Sequence, residues 1–133
     1  MQVTIRAKMA KCAVSAACAL LAAAFSGCGT PPPVDSRVTI AADVAGDVVV
    51  SDIRCPRNQS GFMTLQANVV NVRSGDRGVE WKVVWLDADG VEIDSLVSSW
   101  NKVMLAPNEI KGLKSTAPRP DAADMRFYLR RLR

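Results

Sequence analysis

The chain has 133 residues, enough for one small domain. It contains no histidine, which excludes every Ser-His or Cys-His catalytic arrangement and removes the commonest metal ligand. The formal net charge is +4, but Arg6, Lys8 and Lys11 lie in residues 1–27, which carry no acidic residue. The remainder carries 14 basic and 13 acidic side chains. Its charge therefore gives no argument for nucleic-acid binding, and we expect no nucleic-acid partner.

The first predicted element is a secretory signal peptide in residues 1–27. A basic start is followed by an alanine- and leucine-rich run in residues 12–25. This run is shorter than the roughly 20 residues needed to span a bilayer, and the layout is typical of a cleaved leader. We therefore expect a domain that is exported from the cytoplasm.

The end of this leader resembles the lipobox of bacterial lipoproteins. Ser26 and Gly27 precede Cys28, while Phe25 stands where leucine is usual. The resemblance implies cleavage between Gly27 and Cys28, with palmitate-type acyl chains on the cysteine and a membrane anchor as the result. In such lipoproteins an aspartate at position 29 resembles an inner-membrane retention signal; since glycine stands there, the resemblance implies sorting to the outer membrane, facing the periplasm. The alternative is ordinary cleavage after Ala24, which would leave Cys28 as a free thiol.

Residues 28–36 predict a tether, because three consecutive prolines favour a stiff polyproline conformation. Residues 37–133 then predict an all-β domain of seven to eight short strands separated by turn residues, an antiparallel β-sandwich. The alternation in residues 63–69 changes phase at Val70 and Val72, which predicts a β-bulge there. No segment of this domain has helical periodicity, and we see no internal repeat.

Residues 79–94 are the stretch around which the domain is organised. They predict a strand, a tight turn at residues 87–90 and a returning strand. Trp81, Val83 and Trp85 recur at every second position, so they share one face and should form core. Glu80 and Lys82 are expected on the other face of the strand. The residues around this turn also resemble a family. Trp85-Leu86-Asp87-Ala88-Asp89-Gly90, Leu105-Ala106-Pro107 and Met125-Arg126-Phe127-Tyr128-Leu129 look like the YcfL family of small bacterial lipoproteins.

The resemblance covers residues 48–129, and it implies an immunoglobulin-like sandwich tethered in the periplasm. The family carries no activity and no catalytic residues that could be transferred to this chain.

Three groups of side chains are candidate sites. Trp100, in an irregular segment, is the candidate for a partly exposed partner contact. Arg130 and Arg131 belong to a basic C-terminal stretch that could meet an acidic partner or anionic polymer; the alternative is an edge strand guarded by charge. Acidic residues in 87–94 could bind calcium, but without the full loop spacing a solvated hairpin is favoured. Cys55 has no activating base, so we expect an inert thiol.

These patterns favour a non-enzymatic adaptor or binding module for a membrane-proximal protein complex. The expected partners are the membrane, through the lipid anchor, and an envelope protein. A module that binds a glycan or another envelope polymer through exposed aromatic residues is the alternative. We predict no catalytic residues, no metal site and no cofactor.

Overall fold

The computed structural model describes residues 35–133, so the predicted signal peptide, Gly27, Cys28 and most of the tether lie outside the described residues. Seven strands follow in chain order: β1 (Val38–Ile40), β2 (Val48–Arg54), β3 (Thr64–Asn71), β4 (Arg77–Leu86), β5 (Asn101–Leu105), β6 (Ile110–Thr116) and β7 (Asp124–Arg131). One short 3-10 helix, Leu96–Ser98, lies between β4 and β5. No helix among residues 35–133 is long and apolar enough to cross a membrane.

The strands form two sheets, one ordered β1-β7-β4-β5 and the other β2-β3-β6. All neighbouring pairs are antiparallel except β1 and β7, which run parallel with Val38 opposite Phe127. The prediction of an all-β sandwich is therefore confirmed. An immunoglobulin constant domain distributes its seven strands differently between its sheets, so the likeness to that fold lies in the two-sheet architecture.

The core lies between the two sheets and follows the alternation of the strands. Trp85 is fully buried on β4, and Phe127 is fully buried on the neighbouring β7. Leu65 and Val69 approach from β3 in the opposite sheet, also without exposure. The compact unit Pro32–Arg133 holds both sheets and this whole core, so it has what a domain needs to fold on its own.

Two local predictions were wrong. β3 continues in phase to Asn71, and the register shift lies on β2, between Val50 and Asp52. The apparent phase change arose because the residue buried at the end of β3 is an asparagine. The side-chain Nδ2 of Asn71 lies within hydrogen-bond distance of the carbonyl oxygens of Gly75, Leu105 and Ala106, at 2.8, 3.2 and 3.0 Å, which satisfies a buried amide.

The predicted returning strand in residues 91–94 was the second error. Only an isolated bridge joins Leu86 to Glu92, and the chain then passes through the 3-10 helix to β5. Ser95 caps that helix, its Oγ accepting a hydrogen bond from the amide of Val97 at 3.2 Å. As a result the connection packs against β4 instead of extending the sheet.

Candidate binding surface

The outer face of the four-stranded sheet carries the clearest cluster of chemically distinctive side chains. On β4, Glu80, Lys82 and Val84 alternate with the core residues and so face away from the second sheet. Two of these three are nevertheless buried, since Glu80 is 4% exposed and Val84 is 6% exposed. Glu80 therefore lies on the face opposite the core residues, as predicted, but neighbouring side chains and the β4–β5 connection cover this part of the sheet.

Glu80 is held by cations from both neighbouring strands. The register places it directly opposite Arg130 on β7 and Lys102 on β5. The Nε of Arg130 donates to Oε2 at 2.6 Å, and the Nζ of Lys102 lies 4.0 Å from Oε1. A buried carboxylate requires such partners, because its charge would otherwise be left without water or a counter-ion.

Trp100 immediately precedes β5, and its ring contacts the cations of Arg130 and Lys82. The guanidinium carbon of Arg130 is 3.8 Å from the centre of the Trp100 ring, and the Nζ of Lys82 is 5.3 Å from it. The Nζ of Lys82 is also 5.5 Å from the ring centre of Tyr128, the residue on β7 that lies directly opposite Lys82. All three distances lie within the range of cation–π attraction, so the indole, the phenol and the two cations stabilise one another.

We name Glu80, Lys82, Trp100, Lys102, Tyr128 and Arg130 the aromatic-cationic face. It contains three cations and one carboxylate, so its formal charge is +2. Lys82 forms no ion pair with any residue in the range 35–133 and is balanced only by aromatic rings. The arrangement is suited to binding an anionic partner, since a carboxylate or phosphate could pair with Lys82 and Lys102 without breaking the bond between Arg130 and Glu80.

The structure brings Trp100 and Arg130 together but places Arg131 elsewhere. Consecutive strand residues point to opposite sides. Arg131 donates to the backbone oxygen of Asp43 at 2.8 Å and to the carboxylate of Asp47 at 3.3 Å, at the end of the sandwich. The two arginines therefore do not form one basic patch.

The other tryptophans do not join Trp100 in a groove. Trp85 has no exposed surface, and Trp81 is half-buried with its ring centre 6.1 Å from that of Phe127. Both lie on the core side of β4, whereas Trp100 lies on the outer side. A carbohydrate platform built from three indoles is thus absent from the part of the chain that the structure describes.

The acidic turn at residues 87–90 is held by hydrogen bonds from backbone amides to the side chain of Asp87. Oδ1 of Asp87 accepts hydrogen bonds from the amides of Asp89 and Val91, both at 2.9 Å. Gly90 has a φ of 78°, the left-handed conformation that the turn requires. Across residues 35–133 no three acidic or cysteine side chains come close enough to hold a metal ion together.

Cys55 is a half-buried thiol beside an ion pair. Burial raises the pKa of the Cys55 thiol, although Arg37 Nη1 donates to its sulfur at 3.6 Å and acts in the opposite direction. The same arginine binds Asp35 at 2.6 Å, and this hydrogen bond lowers the pKa of the Asp35 carboxyl to about 2. A thiol with a raised pKa is a poor nucleophile, which agrees with the expected inert role.

Comparisons with known proteins place this domain in a wider group. The model of a family described as "Protein of unknown function (DUF1425)" matches residues 35–131. No curated protein matches the chain. A crystal structure of a DUF1425 family member from Shewanella sp. pv-4 is similar with a TM-score of 0.59 and 20% identity, over 64% of this chain and 78% of that one. Cj0090 from Campylobacter jejuni is similar with a TM-score of 0.60 and 21% identity, over 74% of this chain and 100% of that one. At these identities the two likenesses concern the fold alone.

Proposed function

Because the chain belongs to the DUF1425 family, whose function is unknown, we propose that it is a lipoprotein of the YcfL type that acts as a non-enzymatic binding module in the cell envelope. Cys28 would carry the lipid after cleavage behind Gly27, and the domain would stand in the periplasm at the outer membrane. The support for the anchor is the leader and lipobox in the sequence.

The aromatic-cationic face is the proposed contact for an envelope protein. The observation that carries this proposal is the position of Lys82, which is half-buried between two aromatic rings with no carboxylate paired to it among the described residues. Charge complementarity then favours a partner that presents acidic side chains. Interfaces are enriched in Trp, Tyr and Arg, and all three residue types occur in this face.

Partner capture from native membranes tests the proposed contact. The tagged full-length protein would be cross-linked in cells, purified, and compared with Lys82→Glu and Trp100→Ala variants. Lys114→Glu is a matched control, because Lys114 is an exposed strand lysine on the other sheet. We expect the first two variants to lose a stoichiometric envelope protein and the control to keep it. Equal recovery with all variants would refute the face as the contact, and recovery of cell-wall polymer instead would favour the glycan-binding alternative.

Intact-mass measurement of membrane-extracted protein tests the anchor separately. Lipidation predicts a chain that begins at Cys28 and carries the mass of a diacylglycerol and an acyl group. Cys28→Ser should remain unacylated and lose membrane association, since two or more acyl chains are needed for firm attachment. A wild-type N-terminus at residue 25 without added mass would contradict the lipoprotein assignment while leaving the contact surface open to test.

A further inference from the structure

Three arginines converge on one carboxylate at the end of the sandwich where β4 begins and β7 ends. Arg73 Nε donates to Oδ1 of Asp47 at 2.8 Å. Arg77 Nε and Arg131 Nη2 both donate to Oδ2, at 3.0 and 3.3 Å. The side chain of Asp47 is 14% exposed, and Asp47 neutralises only one of the three positive charges around it.

Two of these arginines border an open cleft of about 390 Å³. This volume lies within the range of small-molecule sites, about 300–1,000 Å³. Val44, Met104 and Leu132 form the apolar part of its lining. Gly78 lies between them, and a Cβ at this position would come within 2.8 Å of the Leu132 Cδ2 atom. The remaining lining residues are Asp76, Arg77 and Arg131.

Each of the two arginines is held in place and keeps a free donor. Arg77 uses Nε for Asp47 and Nη1 for the backbone oxygen of Asp76. Arg131 uses Nε and Nη2 for the backbone oxygen of Asp43 and the carboxylate of Asp47. Within residues 35–133, Nη2 of Arg77 and Nη1 of Arg131 have no acceptor. Guanidinium groups oriented in advance lose less entropy when they bind an anion.

We propose that this cleft binds small organic anions in which a carboxylate or phosphate is attached to a short hydrocarbon chain. The anionic head pairs with the free donors of Arg77 and Arg131, and the chain lies on Val44, Met104 and Leu132. Asp76 opposes this binding through its negative charge, so it limits affinity and favours a singly charged head. The cleft adjoins the aromatic-cationic face, because Gly78, Met104 and Leu132 are each two positions from Glu80, Lys102 and Arg130, respectively. It shares no residue with that face, and the proposal does not depend on the partner contact proposed there.

Calorimetric titration of residues 32–133 tests this site with octanoate and octyl phosphate as probes. Octyl glucoside has the same chain without charge, and inorganic phosphate has the charge without a chain. We expect saturable binding of at least one octyl anion, with both controls at least tenfold weaker. Binding of octanoate alone would identify a carboxylate site, and binding of octyl phosphate alone a phosphate site. No saturable binding of either anion in the millimolar range, or equal binding of octyl glucoside, would overturn the proposal.

Four variants test whether the octyl anions bind in the cleft. Arg131→Gln should weaken binding about tenfold, whereas Arg73→Gln should not, although each removes one ion pair with Asp47. Met104→Glu should also weaken binding, and Met104 is 54% exposed, so this change should not unfold the domain. Asp76→Asn should strengthen binding severalfold. Equal weakening by Arg73→Gln and Arg131→Gln, together with no effect of Met104→Glu and Asp76→Asn, would refute the cleft as the site.

Discussion

The pair formed by Glu80 and Arg130 should contribute measurably to the stability of the domain. The Glu80 side chain is 5% exposed and that of Arg130 is 29% exposed, and their charged atoms are 2.6 Å apart. Glu80→Gln keeps the size of the side chain but leaves the guanidinium without its counter-ion. Hydrogen bonds to charged groups contribute about 1.5–3 kcal/mol, and the partial exposure of Arg130 places this one near the lower end. We expect a loss of about 2 kcal/mol in the free energy of unfolding.

Urea unfolding of residues 32–133 measures this loss. With a denaturant slope of about 2 kcal/mol per molar, the midpoint should fall by about 1 M while the slope stays unchanged. A double-mutant cycle of Glu80→Gln with Arg130→Met should give a coupling energy of at least about 1 kcal/mol. Arg126→Gln is the control from the same strand, because its pair with Asp124 is 42% and 44% exposed and should contribute under about 0.5 kcal/mol. A coupling energy below about 0.5 kcal/mol would refute this account of the outer face.

Three further predictions concern the described domain. Asn71→Ala removes a fully buried amide and leaves backbone carbonyls without a donor, so urea unfolding should show a loss of about 3 kcal/mol. The pKa of Asp35 is lowered from 3.8 to about 2 by the hydrogen bond from Arg37, so its carboxylate stabilises the fold above that range and the contribution is lost as pH falls. The urea midpoints of wild type and Asp35→Asn should therefore differ at pH 7 and converge towards pH 2; a constant difference would contradict this. Gly78→Ala should displace Leu132 and cost about 1–3 kcal/mol, visible as a lower unfolding midpoint and shifted NMR signals of the C-terminal residues.

Alternation along the strands was enough to predict the sandwich and much of its core. Trp85 and Phe127 lie where their phase places them, because a β-strand with one buried face allows only one set of side chains inside. The rule failed at Asn71, where the inward position is polar. An amide can replace an apolar side chain there only because the carbonyl groups of distant loops supply its partners, and those loops are not identifiable from spacing alone.

The aromatic-cationic face was only partly predictable. Trp100 and Arg130 were candidates from the sequence, yet their contact depends on how β5 and β7 are paired with β4. Alternation assigns Glu80 to the outer side but does not say whether that side is covered. The sequence could have predicted that Arg130 and Arg131 do not share one surface, because consecutive residues of a strand point in opposite directions.

The parallel pairing of β1 with β7 has a mechanical consequence. The amide of Phe127 donates to the oxygen of Arg37 and the amide of Ala41 to that of Leu129, both at 2.8 Å, so hydrogen bonds hold both ends of β1. A pulling force applied at Arg37 in the direction of β1 acts across these bonds. Such a load is shared by the whole ladder and must break its bonds together, whereas a perpendicular load would open them one at a time. The short first strand thus gives the domain resistance to shear at the point where the preceding segment joins it.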